Sequence, residues 1–309
     1  MANKKTQNQT QIQDKNKRIE QLLSMVWDTE STARILAITS QILELDPNNV
    51  EALILKSDNT VNLQQKIEIL ERALKASKSP NASLREQPVI IDLAIHQRLA
   101  FLFMEDGDVD NSLKESDITI KLAEDTGTPD EYDYYSEIKT LRYRALIEKG
   151  EWQRILSLVM QDEDHTPGWA YARLVAAWAL SPEPKAKNCV KFFWDALISG
   201  PDIPFYMLGF FDEPEDDEDD ESIISDFDFA VLYYDVLSFS DYFHDWFSRG
   251  VVLFGLLSNR FEGKERDYMI DALDSLGGFN DYERMSKILV EGDDMAVIEA
   301  MAANKCLID

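Results

Sequence analysis

Cysteine, histidine, glycine and proline are all scarce in this 309-residue chain, and each shortage excludes something. The two cysteines, Cys189 and Cys306, lie far apart without CxxC spacing or neighbouring histidines, which excludes a disulfide framework and a thiolate zinc site and suits the reducing cytoplasm. Three histidines leave little material for acid–base or metal chemistry. His96 is expected in the core, His165 exposed in the polar turn before Thr166-Pro167-Gly168, and His244 in the core or on a helix surface. No P-loop, Rossmann glycine fingerprint, HExxH or GxSxG occurs. The expectation is therefore no enzyme, no catalytic residue, no cofactor and no metal. The longest apolar runs, such as Val251 to Leu257, fall well short of the ~20 residues that cross a bilayer. Residues 1–17, polar and amide-rich, lack the apolar stretch of a secretory signal and are expected to be a disordered tail. With only 12 Gly and 10 Pro, the apolar residues fall in long periodic blocks, a pattern that disfavours sandwiches and barrels and predicts an all-α fold.

Basic residues are also in short supply. Against 58 Asp and Glu stand 31 Lys and Arg, a net charge of −27 that repels nucleic acid and anionic membranes. From Phe192 to Ser248 there is no Lys or Arg at all among 57 residues, 16 of which are acidic. Nine of the ten residues from Asp212 to Glu221 are acids, which predicts a solvated loop. An EF-hand is excluded there, because the run has no Gly for the sharp turn and carries Pro214. Phe205, Tyr206, Phe210 and Phe211 precede the loop; Phe227, Phe229, Tyr233, Tyr234, Phe239, Tyr242, Phe243, Trp246 and Phe247 follow it. Two readings stand: the rings fill the core of the last helices, or they join the acids in gripping a basic peptide.

Helical periodicity begins near Arg18, and the first helix pair ends in Ile42-Leu43-Glu44-Leu45-Asp46-Pro47-Asn48-Asn49, followed by Val50-Glu51-Ala52-Leu53. Pro47 stops one helix because it lacks an N–H and restricts the residue before it. Ile67 to Leu74, with Ala73 at a small position, forms a second unit about three residues short of a 34-residue period. Asp106-Gly107-Asp108 marks a third, with Ser112, Ser116 and Thr119 at its small positions, and Ala145 to Trp152, broken at Gly150, a fourth. Over roughly 18–200 this pattern resembles the tetratricopeptide repeat (TPR) family. The resemblance implies antiparallel helix pairs stacked in a right-handed superhelix whose concave face, lined by the first helix of each pair, binds peptides or proteins. In that register the inner positions are Glu51 and Ile54 in the second unit, Gln97, Phe101 and Met104 in the third, and Glu137, Thr140, Arg144 and Ile147 in the fourth. Family members that clamp a C-terminal carboxylate use Lys, Arg and Asn on this face, and only Arg144 matches in kind.

Helices continue over Trp169 to Leu180 and Lys185 to Ile198. The segment Pro201-Asp202-Ile203-Pro204-Phe205-Tyr206-Met207-Leu208-Gly209, with Ala230, Tyr233 and Trp246 beyond the acidic loop, is similar to the suppression-of-tumorigenicity family of TPR-containing proteins. Further helices are expected over Glu265 to Ser275, Asp281 to Val290 and Asp294 to Ala303, giving a C-terminal helical region over 201–309 that caps the array. The expected function is an adaptor or scaffold for a protein or peptide partner, with basic partners favoured by charge. The alternative is a self-assembling structural protein whose aromatic C-terminal helices form a homo-oligomer.

Overall fold

A computed structural model describes residues 2–79, 87–127, 135–161, 165–182, 185–215, 220–277, 282–292 and 294–307; for 2–12 and 282–284 it describes the backbone only. Among the described residues the fold is all-α, with sixteen α-helices, two 3-10 helices and no strand. The chain divides into two compact units, 1–142 and 143–309.

The first unit contains α1 (Ala2–Trp27), α2 (Thr32–Leu45), α3 (Val50–Asp58), α4 (Leu63–Ser77), α5 (Pro88–Glu105), α6 (Val109–Asp125) and the greater part of α7 (Tyr135–Glu148). Each helix from α1 to α5 packs on the next. Links of three or four residues at 28–31, 46–49, 59–62 and 106–108 leave consecutive helices little choice but to run antiparallel. α1 begins at Ala2, so the segment expected to be a disordered tail is helical from its second residue. The physical reason is in the sequence. No Gly or Pro occurs before Pro47, and Ile19, Leu22, Leu23 and Val26 bury one face of α1 against Ile38, Ile42 and Ala52, a seed from which the helix extends backwards.

The Asp46-Pro47 boundary lies where the sequence puts it. α2 stops at Leu45, and the Asn49 side chain accepts the Ala52 N–H at 2.9 Å to open α3. The shortened second unit needs no Gly in its turn because Asn62 caps α4, accepting the Gln65 N–H at 3.0 Å. Ala73 is fully buried beside Leu70, Ile95 and Leu99. At the small positions of α6 the polar residues are buried too. Ser112 Oγ donates to the Ala100 carbonyl of α5 at 2.8 Å and Thr119 Oγ1 to the Glu115 carbonyl at 2.8 Å, whereas Ser116 Oγ has no partner. Between α5 and α6 sits the buried His96, its Nδ1 2.5 Å from Glu115 Oε2. Burial pushes the Glu115 carboxyl up, but hydrogen bonds and charge from His96 and Lys114 outweigh it and hold the group below its ordinary value of 4.5.

The second unit opens with the end of α7, which Gly150 terminates with φ +65°, a left-handed conformation that an L side chain would strain. It continues through α8 (Trp152–Gln161), α9 (Pro167–Leu180), α10 (Lys185–Ser199), α11 (Ile203–Met207) and α12 (Glu221–Tyr233). A 3-10 turn (Tyr234–Phe239) then leads to α13 (Asp241–Leu257), α14 (Gly263–Ser275), α15 (Tyr282–Glu291), α16 (Asp294–Ala302) and a last 3-10 turn (Lys305–Leu307). The centre is α13, buried without a break from Gly250 to Leu257. Trp178 and Trp246 lie with ring centroids 4.6 Å apart, and Phe193 and Phe243 meet this pair at 5.1 and 5.4 Å. Trp246 Nε1 donates to the Leu307 carbonyl at 3.3 Å and Arg249 Nη1 to the Cys306 carbonyl at 2.8 Å, which ties the C-terminal turn to α13.

Two glycines let α13 serve as that centre. A Cβ on Gly250 would stand 2.6 Å from Phe193 Cζ, and one on Gly255 would stand 2.7 Å from Phe205 Cε1 and closer still to Phe261 Cε2. Carbon atoms settle at about 3.5–4.0 Å, so the rings pack where a side chain would otherwise be.

Candidate functional site

In the first unit a groove of about 340 Å³ opens between α3, α4 and α5, lined by Ser57, Asp58, Lys66, Leu70, Gln97, Arg98, Phe101 and Leu102. Cross-helix hydrogen bonds set its walls. Ser57 Oγ donates to the Lys66 carbonyl at 3.1 Å and joins α3 to α4. Gln64 Nε2 donates to Asp106 Oδ1 at 2.7 Å and Ser77 Oγ to Asp92 Oδ1 at 2.5 Å, so α4 is tied to both ends of α5. Arg98 spans α5 to α3 as a fork, with Nε 2.9 Å from Asp58 Oδ1 and Nη2 3.2 Å from Asp58 Oδ2. Both partners are more than a third exposed, which limits that pair to about 1 kcal/mol. Its larger effect is to place a guanidinium and a carboxylate side by side at the rim, above a floor containing the buried Leu70 and the half-exposed Phe101 and Leu102.

Gln97 and Phe101, two of the expected inner-face residues, come together in this groove. Met104 does not join them: it is buried, because α5 packs against both α4 and α6 and turns apolar residues to each. Thr140 and Ile147 of α7 are buried as well. They are therefore core positions, and no partner can touch them without unpacking α7. Glu137 is exposed, and Arg144 is half-buried and paired with Glu148 at 3.1 Å and Asp235 at 3.4 Å. Arg144 and Ile147 fall in the second unit. Glu51 and Ile54 are half-buried, Ile54 against the core of α3 to α5. Asp58, Lys66, Arg98 and Leu102 were missed by the repeat register, since Asp58 and Lys66 belong to the end of one helix and the start of the next rather than to the inner stripe.

In the second unit the rings flanking the acidic run are largely core. Phe205, Tyr233, Phe243, Trp246 and Phe247 are buried, while Tyr234 and Tyr242 remain exposed. Of the acidic run, Asp212, Glu213, Glu215, Asp220 and Glu221 are exposed, and 216–219 lie outside the described residues. Phe205 of the short apolar motif stacks on Phe211 at 5.0 Å and meets Phe261 at 5.7 Å, so that motif fills core. Close by, Arg260 Nε pairs with Asp202 Oδ1 at 2.7 Å, with its guanidinium 5.2 Å from the Phe254 ring. Burial, then the nearby Asp202 charge, raises Asp226 above the ordinary carboxylate value. Arg173 lies between the Trp169 and Phe192 rings, at 4.9 and 4.6 Å, and pairs with Asp195 at 3.3 Å. These cations already have aromatic and acidic neighbours of their own, so they read as packing devices.

Both cysteines are buried, and burial pushes the Cys306 thiol up to about 12, which removes its nucleophilicity near neutral pH. His165 and His244 are exposed. Among the described residues no group of three or more His, Cys, Asp or Glu is placed to hold a metal ion. No helix among them is long and apolar enough to cross a membrane. Comparisons with protein-family models, curated proteins and solved structures find no match.

Proposed function

We propose that this chain is a non-enzymatic adaptor that holds a peptide or protein segment in the α3–α5 groove of its TPR-like first unit. The groove itself carries the proposal. Its volume of about 340 Å³ suits one or two side chains, it offers Phe101 and Leu102 as apolar contact, and its rim presents both signs of charge through Asp58, Lys66 and Arg98. The rigid walls mean that little ordering entropy is lost when a segment enters. The bridge from Arg98 to Asp58 occupies the guanidinium and argues against capture of a free carboxylate there. Two isolated, buried thiols suit work in the cytoplasm.

A photo-crosslinking residue in place of Gln97, in the full chain, tests the proposal in cells. The expected result is a discrete heterologous product lost on adding Phe101→Ala, which removes the largest apolar contact. Crosslinks solely between copies of the chain would favour the self-assembling structural protein, and absence of any product dependent on Phe101 would refute the adaptor.

A further inference from the structure

The outer face of α12 carries a stripe that its fold does not use. Ile224, Asp228 and Val231 fall at i, i+4 and i+7 of α12, the repeat of one helical face, and Asp235 follows in the 3-10 turn. Ala230 and Tyr233 point the opposite way into the core. Ile224 is 39% exposed and Val231 53%, and Tyr234 follows at 57%. Single exposed apolar residues need no explanation. Here, however, Ile224 and Val231 flank Asp228 along one line of the helix.

Charge decides what fits. No Lys or Arg occurs from Phe192 to Ser248, so this segment supplies no local counter-charge to Asp228, and Arg144 pairs instead with Asp235 in the turn beyond the helix, at 3.4 Å. Nucleic acid and an anionic membrane would be repelled. A second copy docking the same face would set Asp228 and Asp235 against their like. We infer that this face docks a basic amphipathic helix of a partner protein, one that interleaves Lys or Arg with Leu-type residues. A cationic head meets Asp228, its stem covers Ile224 and Val231, and the Tyr234 ring offers a π face to a further cation. This surface belongs to the second unit and is independent of the α3–α5 groove, so its failure would leave the groove proposal standing.

The test uses the full chain and a fluorescently labelled synthetic peptide of Lys and Leu patterned as an amphipathic helix, with a Glu and Leu peptide of the same pattern as control. Anisotropy should show saturable binding of the basic peptide that weakens with salt. Asp228→Lys and Val231→Ser should each weaken it about tenfold. Glu71→Lys, which changes net charge equally on the exposed face of α4, should leave it within about twofold. Circular dichroism verifies that each variant is folded. Equal losses from Asp228→Lys and Glu71→Lys, indifference to Val231→Ser, or equal binding of the acidic peptide would each overturn the inference. So would light scattering that shows a dimer dissolved by Val231→Ser.

Discussion

Replacing Gly255 by Ala sets two effects of known size against each other. In an ordinary helix interior Ala is favoured over Gly by about 1 kcal/mol, chiefly because Gly loses more backbone entropy on folding. At Gly255 the new methyl would stand 2.7 Å from Phe205 Cε1 and closer to Phe261 Cε2, and both rings are fully buried. Neither ring has a free direction to move, since Phe205 also meets Phe211 and Phe254, and Phe261 also meets Phe210. Overpacking of this kind costs about 1–3 kcal/mol, and two obstructing rings put this site at the upper end. The net expectation is a loss of about 1–2 kcal/mol. Urea denaturation followed by tryptophan fluorescence reads this unit well, because five of the six tryptophans, Trp152, Trp169, Trp178, Trp194 and Trp246, lie in 143–309. A shorter side chain in the background Phe261→Leu should shrink the cost of Gly255→Ala, the signature of a direct clash in a double-mutant cycle. If Gly255→Ala proves as stable as the parent, the account of α13 as a helix kept bare for its neighbours' rings is wrong.

Truncating Glu115 to Leu should destabilise the first unit by about 1–3 kcal/mol by leaving the buried His96 Nδ1 without its hydrogen-bond partner, whereas the pair His96→Leu with Glu115→Leu should recover most of the loss; hydrogen exchange over α5 and α6 is the measurement. Because the Glu115 carboxyl is held below 4.5 in the folded chain, its contribution is complete above that pH and fades as pH falls through the folded value. Protection of α5 and α6 should therefore drop on acidification below 4.5, and a drop of equal size in Glu115→Gln would refute that assignment. Ser112→Ala should cost about 1 kcal/mol by losing the bond to the Ala100 carbonyl, and Ser116→Ala, which removes a buried hydroxyl without a partner, should be neutral or stabilising; equal effects in urea titrations would count against the distinction.

Much of the fold was legible because its signals are local. Asp46-Pro47, Asn49 and Gly150 end or open helices through their own backbone chemistry, and the structure uses each as expected. His96 was legible as a core residue from its place in the helical period, but its partner Glu115 was not, since nothing in α6 marks one acid among many as the one that faces inward. The tail illustrates the opposite failure: polarity in 1–17 argued for disorder, while the absence of any helix breaker before Pro47 left the amphipathic half of α1 free to extend. Two of the groove's eight lining residues, Gln97 and Phe101, are positions that the repeat register also names. Met104, Thr140 and Ile147 were not separable from them, because a helix packed on two sides buries positions that a one-sided stripe would leave open.

The aromatic C-terminal unit shows why composition alone could not choose between a core and a gripping surface. Rings at helical spacing are needed for both, and the deciding fact lies elsewhere, in Gly250 and Gly255 on α13. Those two positions create room that the rings of Phe193, Phe205 and Phe261 enter, so these side chains are committed inward by the backbone that receives them. Over 221–245 the large apolar residues left exposed are Ile224, Val231, Tyr234 and Tyr242, interspersed in sequence with the exposed Asp228, Asp235, Asp241 and Asp245. The absence of Lys and Arg from 192–248 thus acts mainly at the surface: Asp235 and Asp245 draw their cations, Arg144 and Arg249, from outside the run, and Asp228 is the carboxylate of the α12 stripe that a partner's cation would meet. An interaction with a basic helix at this face then depends on the two large aliphatic residues that α12 exposes, Ile224 and Val231, which is why a single substitution at Val231 should weaken binding as much as reversing the charge of Asp228.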